Sequence, residues 1–258
     1  MRTDALLAID IGNTNVVVGV LEGDRVREQW RLSSYVGRTS DEISLLLRDL
    51  CRDFEGAIAQ SKRVAIASVV PSLTPAFMEA ARRHYGAEAL VVSADLDLGL
   101  EIAYRDPFSV GADRIANAVA ARALYGETVI VVDLGTATTF DIITEGRYEG
   151  GVIVPGVLTS AEELMRRAAR LARVEVCRPE RVVGRTTEES MQAGIYFGAV
   201  GMIDSLVRRI TAEMKFEPRV IATGGLAALV AEDSETIEAV DDALTLQGLR
   251  LIEERNRR

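Results

Sequence analysis

The sequence predicts an α/β protein made of two similar halves that face a central cleft, and three observations carry that prediction. Strand-like apolar runs alternate with amphipathic helical segments along the chain. An apolar strand that stops at Asp-x-Gly and small polar residues occurs twice, as "AIDIGNTN" from Ala8 and as "VVDLGTAT" from Val131. Asp10 and Asp133 lie 123 residues apart, and at that offset Gly12 falls on Gly135, Glu22 on Glu145 and Gly23 on Gly146. The later stretches "RVAIASVV" and "RVIATGG" read as another matched pair of strands. Repetition of this kind marks a duplicated domain, with halves expected at residues 1–116 and 117–258.

The elements follow in order. "ALLAIDIGNTNVVVGVLEGDRV" reads as strand, turn, strand and turn, with "EGD" reversing the chain. "TSDEISLLLRDLCRDF" is a helix: Thr39 and Glu42 are spaced as a capping box, and Ile43, Leu46, Leu47, Leu50 and Phe54 keep a helical period. "RVAIASVV" is a strand stopped by Pro71. "TPAFMEAARRHYG" is a helix with Pro75 in its first turn and Gly86 at its end, and "ALVVSAD" is a short strand. A turn-rich stretch from Tyr104 to Gly111 leads into an Ala-rich helix that runs to Tyr125. "TVIVVDLGTATTFDIITEGRYEGGVIVPG" returns to strands, with a glycine-rich turn in "GGVIVPG". Helices are expected after Ser160 and after Thr187, a strand at "PRVIATGG", and a last helix at "LTLQGLRLIEERNRR" with a polar, frayed end.

Composition narrows the function classes. Of 258 residues, 48% are hydrophobic and 27% charged, an ordinary globular balance that gives each half enough residues for its own core. Aromatics are only 5% and the net charge is −9, which speaks against nucleic-acid and anionic-membrane surfaces. A local nucleotide site with a metal ion is not opposed. Cys51 and Cys177 form no CxxC pair and read as reduced thiols. The single histidine, His84, sits at an expected helix end, where a cation is favourable, so Ser-His-Asp chemistry and most zinc sites lack support. No apolar run reaches membrane-spanning length and the first residues do not make a signal peptide; the reading is a cytoplasmic protein.

The repeated turn has a chemistry of its own. A buried strand holds the Asp in place, the Gly admits a ligand close to the backbone, and the next polar residues can wrap phosphate oxygens. The carboxylate would repel phosphate unless a hydrated cation lay between them. As plain structure, each is a polar hairpin turn. Two of them suggest a metal–nucleotide clamp. "GADR", Gly111–Arg114, adds an Asp and an Arg at a helix start. Dipole compensation accounts for Asp113 but not for Arg114, whose guanidinium fork suits a ligand carboxylate.

The plan resembles the superfamily of sugar kinases, actin and the Hsp70 ATPase, which implies duplicated ribonuclease H-like (actin-like ATPase) domains with mixed sheets flanked by helices. "DIGNTN", "GADR", "DLGTATTFD", "GGVIVPG" and "TTEESMQAGI" follow one another in the order of type III pantothenate kinases, a resemblance that runs from about residue 6 to about residue 250. It implies phosphorylation of pantothenate to 4'-phosphopantothenate with ATP, the first step of coenzyme A biosynthesis. It makes Asp113 the proton acceptor. Asp10, Ile11, Gly12, Asn13, Thr14, Asn15, Val16, Val17 and Thr136 become the ATP-binding residues. Tyr104, Gly111, Ala112, Asp113, Arg114 and Thr187 become the substrate-binding residues. Asp10 would hold Mg²⁺ through water, and Asp133 a monovalent cation, K⁺ or NH₄⁺, which replaces the symmetrical clamp drawn from the repeat. "GGVIVPG" matches an adenosine-side loop.

The resemblance also implies a homodimer in which Thr187 reaches the partner's substrate. Taken alone, Thr187 reads as a helix N-cap and Tyr104 as a loop aromatic. Gly194, Gly198 and Gly201 share a helical spacing, which calls for close packing within the domain or across a dimer. One departure stands out: the family's Thr-Ala-x-Leu-Pro stretch is "AARLAR" here, Ala168–Arg173. Two alternatives use the same scaffold: a non-catalytic transcriptional accessory protein, or an enzyme acting on another substrate. Retention of Asp10, Asp113, Arg114 and Asp133 separates the kinase from the first, and "GADR" from the second.

Overall fold

The computed structural model describes residues 4–167 and 174–257. The altered "AARLAR" stretch lies outside the described residues. Two compact units emerge, one holding the residues through Ala123 with Gly146–Tyr148 and the segment from Ala243, the other holding Leu124–Glu145 and Glu149–Asp242. The expected division after residue 116 falls inside a helix.

The first unit runs β1 (Ala5–Ile11), β2 (Asn15–Glu22), β3 (Arg25–Ser33), α1 (Ser40–Leu50), α2 (Glu55–Ser61), β4 (Arg63–Ser68), α3 (Thr74–Tyr85), β5 (Leu90–Val91), β6 (Glu101–Ile102) and α4 (Ala112–Tyr125). Its sheet has the order β3-β2-β1-β4-β5. β1 pairs antiparallel with β2 and parallel with β4, so Asp10 faces Val17 on one side and Ala67 on the other. Ile9, Ile11, Val64 and Ile66 bury one face of the sheet with Ile43 and Leu47 of α1 and Phe77 of α3. The capping box forms as expected: Glu42 N–H donates to Thr39 Oγ1, and Thr39 N–H donates to the Glu42 carboxylate at 2.8 Å. α3 has Pro75 in its first turn and ends on Gly86 in the left-handed region.

Two expectations need correction here, and one strand went unread. The first predicted helix ends at Leu50, and a 3₁₀ turn at Arg52–Phe54 leads into the separate α2. β3 carries too many charged side chains to read as a strand, because it is an edge strand with much of its length exposed. The short strand read from "ALVVSAD" is reduced to β5.

The second unit comprises β7 (Val129–Leu134), β8 (Ala137–Thr144), β9 (Arg147–Pro155, whose Arg147 and Tyr148 belong to the first unit), α5 (Val157–Arg167), α6 (Thr187–Met214), β10 (Arg219–Thr223), α7 (Ala227–Ala231) and β11 (Ala239–Val240). The second sheet has the order β11-β10-β7-β8-β9-β6, in which the first five strands repeat the first sheet strand for strand and β6 is added at the edge. β7 is antiparallel to β8 and parallel to β10. β2 and β8 even share one pattern of buried and half-buried residues. Ile130, Val132 and Ala222 pack with Tyr196, Ile203 and Val207 of α6.

The repeat is offset by one residue from the sequence match. β8 starts three residues after Leu134, whereas β2 starts four after Ile11, and Gly23-Asp24 therefore corresponds to Glu145-Gly146. The matched glycines Gly23 and Gly146 are not equivalent. Glu145 takes a positive φ of 46° beside Gly146 at 82°, the geometry of a two-residue hairpin.

α8 (Leu244–Asn256) closes the first unit. Leu246 lies against Gly19, and Gly248 meets the backbone of Ala116 so closely that any side chain would collide. Arg63 Nε donates to Glu253 Oε2 at 2.8 Å in a buried ion pair. The expected fraying does not occur through Asn256, whose Oδ1 accepts from Asp97 N–H at 3.0 Å. Cys51 and Cys177 are separate thiols, and burial pushes Cys51 up to about 11 against a hydrogen bond from Tyr85. Among the described residues no helix is long and apolar enough to cross a membrane.

Candidate active site

In the first unit the "GNTN" turn joins β1 to β2. Gly12 N–H donates to Asn15 O at 2.9 Å, and Ser34 N–H donates to Thr14 O at 2.8 Å, so both ends of the turn are fastened. A Cβ on Gly12 would stand 2.9 Å from Asn15 O. Asp10 is half-buried, while Asn13 and Thr14 are exposed. Ile11 and Val16 are different: both side chains are sealed in the core, leaving only their backbone to meet a ligand.

Asp113 and Arg114 occupy the first turn of α4. The Asp113 carboxylate folds back and accepts Arg114 N–H at 2.8 Å. A Cβ on Gly111 would lie 2.5 Å from that carboxylate, so the glycine makes room for it. Burial raises the Asp113 pKa above its ordinary value, and the Arg114 backbone bond and charge oppose that only in part. The result is a carboxylate more basic than usual, which suits a proton acceptor. Arg114 is buried, with its guanidinium 5.9 Å from the centroid of the Tyr148 ring. Tyr104 follows β6, is partly exposed, and has its ring 6.3 Å from that of Tyr148.

In the second unit Gly135 N–H donates to Ala137 O at 3.1 Å, closing a turn one residue tighter than the first. Thr136 O accepts from Gly156 N–H at 3.1 Å and from Thr159 Oγ1 at 2.7 Å. "GGVIVPG" is not a turn between strands. Its residues through Pro155 belong to β9, and Gly156 is the hinge into α5, which begins at Val157 rather than after Ser160. A side chain on Gly156 would strike the carbonyls of Gly135 and Thr136.

Asp133, half-buried and next to last in the otherwise buried β7, lies beside a glycine that sequence reasoning left without a role. Gly224 follows β10 with φ +94°, and a Cβ there would come within 2.7 Å of Asp133 Oδ1. The "TGG" strand end was the available signal. The same Cβ would lie 2.8 Å from the backbone of Leu134, so only glycine lets the end of β10 come this close to the Asp133 carboxylate. Among the described residues no group of three or more His, Cys, Asp or Glu side chains could hold a metal.

Thr187 is not the helix cap. Thr186 caps α6, its side chain accepting Glu189 N–H at 3.1 Å. Thr187 is the first helical residue, exposed at the rim of an apolar groove of 590 Å³ between α5 and α6. Val157, Leu164, Met191 and Ile195 line it. A Cβ on Gly194, Gly198 or Gly201 would meet no atom of the described residues within 4 Å. Packing within the unit therefore does not account for those glycines.

Comparison with known proteins identifies the family. A family model for type III pantothenate kinase matches residues 6–209. A type III pantothenate kinase of Geobacter sulfurreducens is 49% identical over 253 residues, covering 98% of this chain and 99% of that one. Another, from Dehalococcoides mccartyi, is 44% identical over 256 residues, covering 99% and 97%. Among solved structures, the activator of the 2-hydroxyisocaproyl-CoA dehydratase from Clostridium difficile with bound ADPNP aligns with a TM-score of 0.60 at 15% identity, covering 98% of this chain and 96% of that one. That likeness shows the actin-like ATPase fold. With the matched region spanning both repeats, the chain belongs to the type III pantothenate kinase family.

Proposed function

We infer that the chain carries out its family's reaction, ATP-dependent phosphorylation of pantothenate in coenzyme A biosynthesis, with Asp113 as proton acceptor and Arg114 as carboxylate clamp. The observation that carries the assignment of roles is the pair itself: a half-buried Asp, made more basic by partial burial, next to a buried Arg at one helix start. The hydroxyl oxygen of pantothenate attacks the γ-phosphorus of ATP, the bond to the ADP oxygen breaks, and the hydroxyl proton passes to Asp113. Arg114 holds the carboxylate at the other end, so the two side chains fix the substrate by both polar ends. Gly111 and Ala112 leave the backbone accessible beside them, and Tyr104 flanks the acyl chain.

The "GNTN" turn and Thr136 hold phosphate oxygens. Asp10 orients Mg²⁺ through water, and that ion supplies charge neutralisation on the phosphates. Asp133, against which Gly224 closes, takes K⁺ or NH₄⁺. The α5–α6 groove and the three outward glycines suit a homodimer, with Thr187 at the rim offered to the partner's substrate. The protein works in the cytoplasm and has neither nucleic acid nor membrane as partner.

The assay is ADP release. Release should require pantothenate and rise with K⁺ or NH₄⁺; pantothenate-independent hydrolysis, or indifference to these cations, would overturn the corresponding assignment. At pantothenate concentrations where its raised KM silences Thr187→Ala, mixing that variant with inactive Asp113→Asn tests the trans contribution. Mixed dimers should regain one working site, whereas a cis role for Thr187 predicts no recovery.

A further inference from the structure

We propose that Tyr148 is a positioning residue for substrate recognition: its buried ring sets the attitude of the Arg114 guanidinium, and through it the selection of an acidic substrate end. This rests on the reading of Arg114 as the carboxylate clamp. Tyr148 is the second residue of β9 and is 1% exposed. Its backbone is strapped to the strand leading to Tyr104: it pairs in register with Ile102, and its carbonyl accepts Ala103 N–H at 2.9 Å. The ring therefore cannot drift. It lies 5.9 Å from Arg114 Cζ and 6.3 Å from the Tyr104 ring, the latter at an interplanar angle of 56°. One buried ring thus reaches two substrate-side residues that come from different elements.

The physics gives the ring a task. A guanidinium buried as deeply as Arg114 has lost most of its hydration, and an aromatic face is one of the few apolar surfaces that attracts it. A guanidinium is also planar and binds a carboxylate through two parallel N–H bonds, so its tilt decides whether both form. Asp113 is the preceding residue on the same helical turn. Fixing the tilt of Arg114 therefore fixes where the substrate hydroxyl falls relative to the proton acceptor.

The test is steady-state kinetics, varying pantothenate and ATP separately, on Tyr148→Phe, Tyr148→Leu, Tyr148→Met and Arg114→Lys, with thermal melts on each. Tyr148→Phe keeps the ring face and should hold the pantothenate KM within about twofold. Tyr148→Leu and Tyr148→Met should raise it about tenfold, the order expected for a desolvated cation–π contact, while the ATP KM stays unchanged. The loss should disappear when the substrate is the neutral primary amide of pantothenate. Adding Tyr148→Leu to Arg114→Lys should cost little more than Arg114→Lys alone. If both KM values rise together in step with a lower Tm, or if the amide suffers equally, Tyr148 is merely structural and the proposal falls. If Arg114→Lys itself leaves the pantothenate KM unchanged, the fault lies in the clamp assignment beneath it. Tyr148→Phe keeps the ring volume, so a tenfold loss there would also overturn the proposal, even if the aliphatic variants fail to fold.

Discussion

The two Asp-x-Gly turns share a scaffold and differ in everything attached to it. Both lie between a buried strand and its antiparallel partner, in sheets of the same strand order. The first turn is longer, with Gly12 N–H reaching Asn15 O, and is tied from one side by Ser34. The second is shorter, and Gly156 and Thr159 both cap the Thr136 carbonyl. The parallel neighbour differs too. After Ala67, opposite Asp10, comes Ser68, whose hydroxyl accepts Val70 N–H at 3.1 Å. After Thr223, opposite Asp133, comes Gly224 with no side chain at all. Duplication kept the strands, where burial penalises change, and let the turns diverge.

The largest expected effect comes from the carboxylate in neither turn. Asp113→Asn should lower kcat by roughly 10²–10⁴-fold while pantothenate still binds, as expected for loss of a general base. It should also raise Tm at neutral pH. Burial raises the folded pKa of Asp113 above its ordinary 3.8, so the folded state resists the charge and the wild-type residue is destabilising once ionised. The Tm gain should shrink as pH falls through the raised folded value toward 3.8, where both states become neutral. A gain independent of pH would contradict the burial argument.

Next, Asp10→Asn and Asp133→Asn should part company. The first should cost roughly 10²–10³-fold in turnover and shift the Mg²⁺ dependence. The second should cost less and abolish stimulation by K⁺. Identical Mg²⁺ and K⁺ profiles would restore the symmetrical clamp. Gly224→Ala sharpens the contrast structurally: positive φ and the collision with Asp133 should lower stability by about 2–4 kcal/mol. Ser68→Ala, at the corresponding place in the first unit, should cost only about 1 kcal/mol by denaturant titration. The smallest effect concerns the start of α6. Thr186→Ala should cost about 1 kcal/mol as a lost cap. Thr187→Ala should leave Tm unchanged and raise the pantothenate KM.

Much of this was legible in the residues. Alternation and the Asp-x-Gly stops gave β1, β2, β7 and β8, and Thr39, Pro75 and Gly86 marked helix ends through local chemistry. The misses have physical causes. The glycine match at an offset of 123 hid the shorter second turn, because Glu145 adopts a conformation usually left to glycine. β3 was hidden by its exposed charges, and β9 by glycines that suggested a loop. The cap fell to Thr186 rather than to its identical neighbour, a choice local sequence does not distinguish. Gly224 and Tyr148 acquire meaning only through partners far along the chain, Asp133 and Arg114. Those contacts are invisible to periodicity.

The lodging of α8 against β1 and β4 has a consequence for biosynthesis. Arg63 waits for Glu253, Gly19 for Leu246 and Asn117 for the Thr245 hydroxyl, which it accepts at 2.7 Å. The first unit to leave the ribosome is therefore the last to be completed. Until α8 is synthesised, the strand bearing Asp10 presents part of its apolar surface to the cell. A nascent chain stalled after β11 would carry a fully encoded second unit and an open first one.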